Sequence, residues 1–315
     1  MDELYNKLKE FGEVKINESL AKHATFKIGG PAKLFVVVSK TDKLVGLLNY
    51  LNAEGFDYFI LAGGSNLLLS DEGFDGIVIK IATTTPPKIT ADGLGFEIEV
   101  EAGVMLSAVV NLGAKNGLTG IDWGIGIPGT FGGAIRGNAG AMGKEIARVL
   151  KWVEVWRNGE VARLKPEECG FSYRNSSFKH NKDIVLRGAI YLEPGDKQEI
   201  LERMQKYLQQ RKHTPYPSAG SFFKNIKLAQ WAQDTKNLPE LFLQRGTVPV
   251  GWITEQMALR GLSVGGAKIS DEHGNYLINF NKATQSDVLD LVEQIKQKVY
   301  NRYGVELEPE VQIVK

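Results

Sequence analysis

A single cysteine, Cys169, rules out a disulfide framework. Histidine is nearly as scarce. The four present (His23, His180, His213 and His273) are scattered, and no HxxxH or CxxC spacing offers a metal its ligands. Net charge is almost absent, with 38 Lys and Arg against 37 Asp and Glu. No global field therefore draws the chain toward nucleic acid or an anionic membrane. Long apolar runs are missing too: Leu34 to Val38 is among the longest, far below the roughly 20 residues of a spanning helix. With the acidic opening Met1-Asp2-Glu3-Leu4, these absences lead to an expectation of a cytoplasmic protein without metal, membrane or nucleic-acid partners. The 315 residues, 43% hydrophobic, suffice for a substantial core and about two domains.

Glycine is what the chain has in excess. Between Gly103 and Gly143 there are 12 glycines in 41 residues, interleaved with Ile, Leu, Val and Trp. A segment of that composition folds, but with tight turns and close backbone approaches.

Hydrophobic spacing predicts a strand over Lys33–Ser39, a helix over Thr41–Glu54 with Leu44, Leu47, Leu48 and Leu51 on one face, and a strand over Tyr58–Ala62, which is a βαβ unit. Further strands are expected at Asp75–Ile81, Phe96–Ala102, Trp152–Trp156 and Ile184–Leu192. Helices are expected at Met105–Asn116, Lys197–Lys212 and around Gly251–Leu259. A longer helix begins near Thr284, where Thr284-x-x-Asp287 resembles a capping box and Val288, Val292, Ile295, Val299 and Tyr303 share a face. Leu307–Val311 reads as a short final strand, and the prolines of His213-Thr214-Pro215-Tyr216-Pro217 suggest a domain boundary.

Gly124-Ile-Gly126-Ile-Pro-Gly129 satisfies G-x-G-x-x-G, but Pro128 sits inside it and Gly132-Gly133 follow closely, so coincidence is the better reading than a Rossmann fingerprint. The stretch Pro128–Ala141 instead suggests a backbone cradle for an anion, and Gly63-Gly64-Ser65-Asn66 suggests a second. Glycines at strand ends are common, yet two such loops in one domain favour a large phosphate-bearing ligand. Arg174, among Phe171, Tyr173 and Phe178, is balanced between a surface cation and a ligand-binding group. Ser221 lacks a G-x-S-x-G elbow and an adjacent histidine, which leaves a hydrolase serine little support against a plain turn. Glu308 and Glu310 read most simply as a solvated acidic pair.

Six ordered segments carry a resemblance that no one of them would: TFKIGGPA (25–32), LAGGSNLL (61–68), GIPGTFGGAIRGNAGAMG (126–143), FSYRNSSFK (171–179), AGSFFKN (219–225) and LEPEV (307–311). Over nearly its whole length the chain resembles the UDP-N-acetylenolpyruvoylglucosamine reductases, flavoenzymes of bacterial cell-wall precursor synthesis, in their shorter class without a tyrosine loop. The resemblance implies an α+β fold: a two-subdomain FAD-binding module of the vanillyl-alcohol-oxidase type plus a separate α+β substrate domain. The implied boundaries are 1–85, joined by a returning strand at 307–315, then 86–212, and 213–306 for the substrate domain.

The resemblance also implies noncovalent FAD, NADPH as reductant and UDP-N-acetylglucosamine enolpyruvate as substrate. Arg174, Ser221 and Glu310 would be catalytic, and Lys224 and Asn225 would touch substrate. Gly63, Gly64, Ser65, Asn66 and Leu67, with Pro128, Gly129, Gly132, Gly133, Gly137, Asn138 and Gly140, would hold the cofactor. At Gly133 a Cβ is expected to block backbone approach or demand a forbidden φ. Chemistry assigns Arg174 to the substrate carboxylate, Ser221 to protonation of C2 and a protonated Glu310 to the enol oxygen. Two positions depart from the family pattern: Ile226 stands where proline is common, and Asp271-Glu272-His273-Gly274-Asn275 replaces a Lys-His-Ala stretch. An FAD-dependent sugar or alcohol oxidase and a noncatalytic flavin or nucleotide-sugar binder are the alternatives; the first would not need Ser221 and the second none of the three.

Overall fold

The computed structural model describes residues 2–83, 85–211 and 214–314. They form two compact units, the first comprising 2–18, Ala32–Gly63 and Asp75–Arg211, the second Ser19–Pro31, Gly64–Phe74 and 214–314. Residues 19–31 and 64–74, expected in an N-terminal subdomain, thus group with the C-terminal part. Backbone bonds explain the grouping. Thr25 N donates to Gly64 O at 3.0 Å, and Gln312–Ile313 pairs in parallel with Leu67–Leu68. Within the expected 307–315, the strand that forms is Gln312–Ile313, whereas Leu307–Val311, read as a short final strand, forms none; Pro309 has no N–H to offer a ladder there. His213, at the expected boundary, lies outside the described residues.

The first unit is built on two larger sheets, beside a small pairing of Gly140–Ala141 with Lys144–Glu145. In one, the order is Glu13–Ser19, Pro31–Val38, Phe74–Ile81, Tyr58–Leu61. The predicted βαβ strands share this sheet but are not neighbours, because Phe74–Ile81 lies between them and pairs in parallel with Tyr58–Leu61. Leu34, Val36 and Val38 belong to the same buried core as Leu44, Leu47, Leu48 and Leu51 of the helix Thr41–Glu54. That helix stops at Gly55, whose φ of 71° and N–H bond to Leu51 O make a left-handed cap.

The second sheet runs Glu160–Leu164, Leu150–Arg157, Ile184–Pro194, Gly95–Glu101, Lys88–Asp92, each neighbouring pair antiparallel. Its first hairpin turns through Asn158 and Gly159, both at positive φ (50° and 97°), as a tight two-residue turn requires. The helix Lys197–Gln210 starts under Asp196, whose carboxylate accepts from Glu199 N at 2.9 Å, and buries Ile200 and Met204.

In the second unit the antiparallel order is Ser218–Ser221, Tyr276–Asn279, Ala267–Ile269, Ser263–Val264. The helix Gln285–Tyr303 carries the predicted capping box between Thr284 and Asp287, and Val288, Val292, Ile295 and Val299 enter the unit's core. Among the described residues, no helix is long and apolar enough to cross a membrane.

Candidate active site

In the first unit the two glycine loops meet. A Cβ on Gly63 would stand 2.5 Å from Gly129 Cα, so only glycine lets the backbones approach this closely. Beside them, Lys80 at the end of Phe74–Ile81 donates to Ala62 O, and burial pulls its ammonium below the ordinary lysine pKa. The Lys80 side chain is thus tied to the carbonyl that precedes Gly63.

The stretch expected to be an open cradle folds instead into a short helix, Phe131–Gly137, because Thr130 caps it: its hydroxyl accepts from Gly133 N at 3.3 Å. Phe131 N donates to Val104 O at 2.8 Å, Gly132 N to Ala102 O at 2.9 Å and Ala134 N to Thr130 O at 2.9 Å. The amides of Gly132 and Gly133 are therefore engaged by protein. Those of Gly129 and Thr130 have no acceptor among the described residues. Gly133 is helical with φ outside the left-handed region, and an added Cβ would meet only Thr130 Oγ1 at 3.5 Å; the expected forbidden φ is absent there.

Asn138 caps this helix at φ 43° and is fully buried. Its Nδ2 donates to Glu145 Oε2 at 3.0 Å and Ser172 O at 2.9 Å, while Oδ1 accepts from Ala147 N at 3.3 Å. The side chain, expected on the cofactor, instead grips the turn that carries Arg174. That turn closes with Ser172 N to Asn175 O at 3.1 Å and Asn175 N to Ser172 O at 3.0 Å. Arg174 adopts φ 55°, its Nη2 donates to Gly140 O at 2.8 Å, and its guanidinium lies 5.1 Å from the Tyr173 ring centroid.

In the second unit the TFKIGG segment braces the Gly64–Asn66 turn. Gly64 has φ 63°, and a Cβ there would fall 2.0 Å from His23 O. Ser221 ends a strand opposite Tyr276. The next residue, Phe222, accepts from Glu310 N at 2.7 Å, and Lys224 N donates to Glu308 O at 2.9 Å. Ser221 and Glu310, 89 positions apart in the chain, are thereby tied through one peptide unit. Asn66, expected at the cofactor, turns its side chain to the same place: Nδ2 donates to Glu310 O at 3.1 Å, and its own carbonyl accepts from Gln312 N at 3.0 Å. The Lys224 ammonium pairs with the Glu308 carboxylate.

Comparison with known proteins decides the family. The chain is 40% identical, over 99% of its length and 98% of the relative's, to the UDP-N-acetylenolpyruvoylglucosamine reductase of Caldanaerobacter subterraneus subsp. tengcongensis. It is 36% identical to that of Carboxydothermus hydrogenoformans, over 95% of this chain and 93% of the other. The chain belongs to the UDP-N-acetylenolpyruvoylglucosamine reductase family. Residues 210–314 match the family's C-terminal domain and residues 32–165 match an FAD binding domain. The crystal structure of the reductase from Thermus caldophilus superposes with a TM-score of 0.74 at 34% identity, covering 96% of this chain and 98% of that one.

The site fits the FAD that membership in the reductase family brings. Close glycine backbones, the Gly129 and Thr130 amides and the neighbouring Lys80 side chain suit a diphosphate. Of the two departures from the reductase pattern, Ile226 is 6% exposed and pairs with Val248, so its side chain fills the second unit's core. The other, the 271–275 loop, ends in Asn275, whose side chain bonds to Phe223, two residues after the strand that ends at Ser221. Sequence reading missed Lys80 and Thr130, and met Asn275 only as part of the stretch that departs from the family pattern. Lysine within an otherwise buried strand was the available signal for Lys80; nothing local marks the bonds of Asn275.

Proposed function

We propose that the chain reduces UDP-N-acetylglucosamine enolpyruvate to UDP-N-acetylmuramate with electrons from NADPH. The observation that carries the assignment of residues is the Glu310 N to Phe222 O bond, which joins Ser221 and Glu310 on neighbouring segments of one unit. When bound, FAD would supply the hydride chemistry that links NADPH to C3 of the enolpyruvyl group. The Gly63, Gly129 and Thr130 backbone and Lys80 hold its diphosphate.

Arg174, held by Gly140 O and Tyr173, binds the substrate carboxylate, where negative charge grows as C3 gains a hydride. Glu310, protonated, donates a hydrogen bond to the enol oxygen, a role that an ionised carboxylate facing the same charge would oppose. Ser221 gives its proton to C2, completing net addition of H⁻ and H⁺ across the double bond. Lys224, paired with Glu308, and Asn225 serve the nucleotide-sugar.

The test is an anaerobic titration. NADPH should bleach the 450 nm band of the purified yellow protein, and the enolpyruvyl sugar nucleotide should restore it with formation of the lactyl ether. Reoxidation by air but not by that substrate would overturn the assignment in favour of an oxidase.

A further inference from the structure

Asn275 is 3% exposed, and its side-chain amide is bonded at both ends to one residue. Its Oδ1 accepts from Phe223 N at 3.0 Å and its Nδ2 donates to Phe223 O at 2.8 Å. Its own carbonyl accepts from Phe222 N at 2.8 Å. Three bonds from one asparagine thus fall on the two residues that follow Ser221. They stand where the ladder gives out: the pairing between Ser218–Ser221 and Tyr276–Asn279 is irregular and ends at Ser221 opposite Tyr276. Beyond that point the asparagine side chain stands in for a strand's peptide group.

From the other side, Phe222 O accepts from Glu310 N at 2.7 Å, and Glu310 O is held by Asn66 Nδ2 at 3.1 Å. The order of connection is Asn275, then Phe222–Phe223, then Glu310, then Asn66, all within the second unit. Phe222 and Phe223 are themselves buried, with ring centroids 5.3 Å apart.

We propose that Asn275 is a positioning residue for proton transfer, fixing the Phe222–Phe223 backbone and so the placement of Ser221 relative to Glu310. The proposal rests on the assignment of Ser221 as proton donor. Asparagine suits it for a stated reason: an aspartate of the same length still accepts from Phe223 N but sets a lone pair against Phe223 O, and alanine leaves both groups unpaired. Displacement of a reacting group by about 1 Å is enough for a loss on the order of 10²-fold.

The experiment is stopped-flow on the FAD-loaded enzyme, both half-reactions, for Asn275→Ala, Asn275→Asp, Asn275→Ser and Ser221→Ala. NADPH bleaching should stay within about twofold of wild type in every variant, which certifies fold and cofactor. At saturating substrate, reoxidation should slow roughly 10- to 100-fold in Asn275→Ala and Asn275→Asp. Asn275→Ser, which keeps one polar atom in the pocket and serves if Asn275→Ala does not fold, should slow less. Amide exchange at residues 222 and 223 should accelerate in the same order. A purely structural asparagine predicts a lower melting temperature with the reoxidation rate intact, since that rate is counted per reduced flavin. Normal reoxidation in the Asn275 variants with slow reoxidation in Ser221→Ala overturns the positioning role alone. Normal reoxidation in all four overturns the acid assignment and the proposal with it.

Discussion

Arg174 is held in the left-handed region at φ 55°, a conformation that costs a non-glycine residue on the order of 1–3 kcal/mol. The closed Ser172–Asn175 turn, gripped by Asn138, and the Lys179 Nζ bond to Arg174 O at 2.7 Å keep it there. A guanidinium so placed can anchor to Gly140 O and still present a planar fork, which an ammonium cannot. Arg174→Lys should therefore lose about 2–4 kcal/mol from substrate-driven reoxidation, measured as kcat/KM. Loss below about 0.5 kcal/mol would return Arg174 to the role of a surface cation. Ser221→Ala should leave NADPH bleaching unchanged and slow reoxidation by roughly 10² to 10⁴. Ser221→Cys should regain part of that, a thiol being the stronger acid. Unimpaired reoxidation in the alanine variant at saturating substrate would remove Ser221 from the mechanism.

The helix Phe131–Gly137 carries two adjacent glycines that do different work. A Cβ on Gly132 would lie 2.6 Å from Ala102 Cβ and 3.1 Å from Ala102 O, so that glycine is required by the protein itself. A Cβ on Gly133 meets nothing nearer than Thr130 Oγ1 at 3.5 Å. Gly132→Ala should destabilise the apoprotein by about 1–3 kcal/mol through overpacking. Gly133→Ala should leave its stability unchanged or raise it by up to about 1 kcal/mol, since alanine is the better helix former. If flavin lies against this helix, Gly133→Ala or Gly133→Val should nevertheless weaken FAD retention. Urea melts of the apoprotein and fluorescence titration with FAD read the two effects separately. Tight FAD binding by Gly133→Val would show that the ligand does not approach that face.

At the scale of the whole molecule, carboxylates set beside arginines in the first unit contribute to acid stability. Burial alone would raise the Asp122 pKa, but the Arg203 guanidinium at 3.1 Å and the Gly120 N–H at 3.2 Å hold it below the ordinary carboxylate value. Glu154 is likewise pushed up by burial and brought lower by Arg187 and Arg163. A carboxyl whose folded pKa is depressed contributes stability above its unfolded value, about 4, and loses it as pH falls through the folded pKa. Asp122→Asn should thus cost roughly 1–3 kcal/mol at pH 7. Its deficit relative to wild type should shrink below about pH 4, as Asp122 of the wild type takes up its proton. Thermal melts at pH 7 and pH 3 check this, and a deficit independent of pH would mean that Asp122 acts by packing.

The helix Thr41–Glu54 and the capped helix Gln285–Tyr303 were legible in the sequence because their signals are local: apolar residues at helical spacing, and a cap three residues from its partner. The glycines at 63 and 64 were legible as a turn that could cradle an anion, and the family resemblance named Arg174, Ser221 and Glu310. What sequence could not supply is which amides and side chains remain for a ligand. Gly132 and Gly133 read as a cradle, yet their N–H groups answer to Ala102 and Thr130, and Asn138 answers to Ser172. Those partners lie 3 to about 35 residues away and are chosen by sheet register and burial, which no local pattern encodes. The same holds for the strand at 312–313, the grouping of residues 19–31 and 64–74 with the C-terminal part, and the bonds of Asn275 to Phe223, 52 positions apart. Local propensity fixed the elements; the need to satisfy every buried backbone group fixed their partners, and only the folded chain brings those partners together.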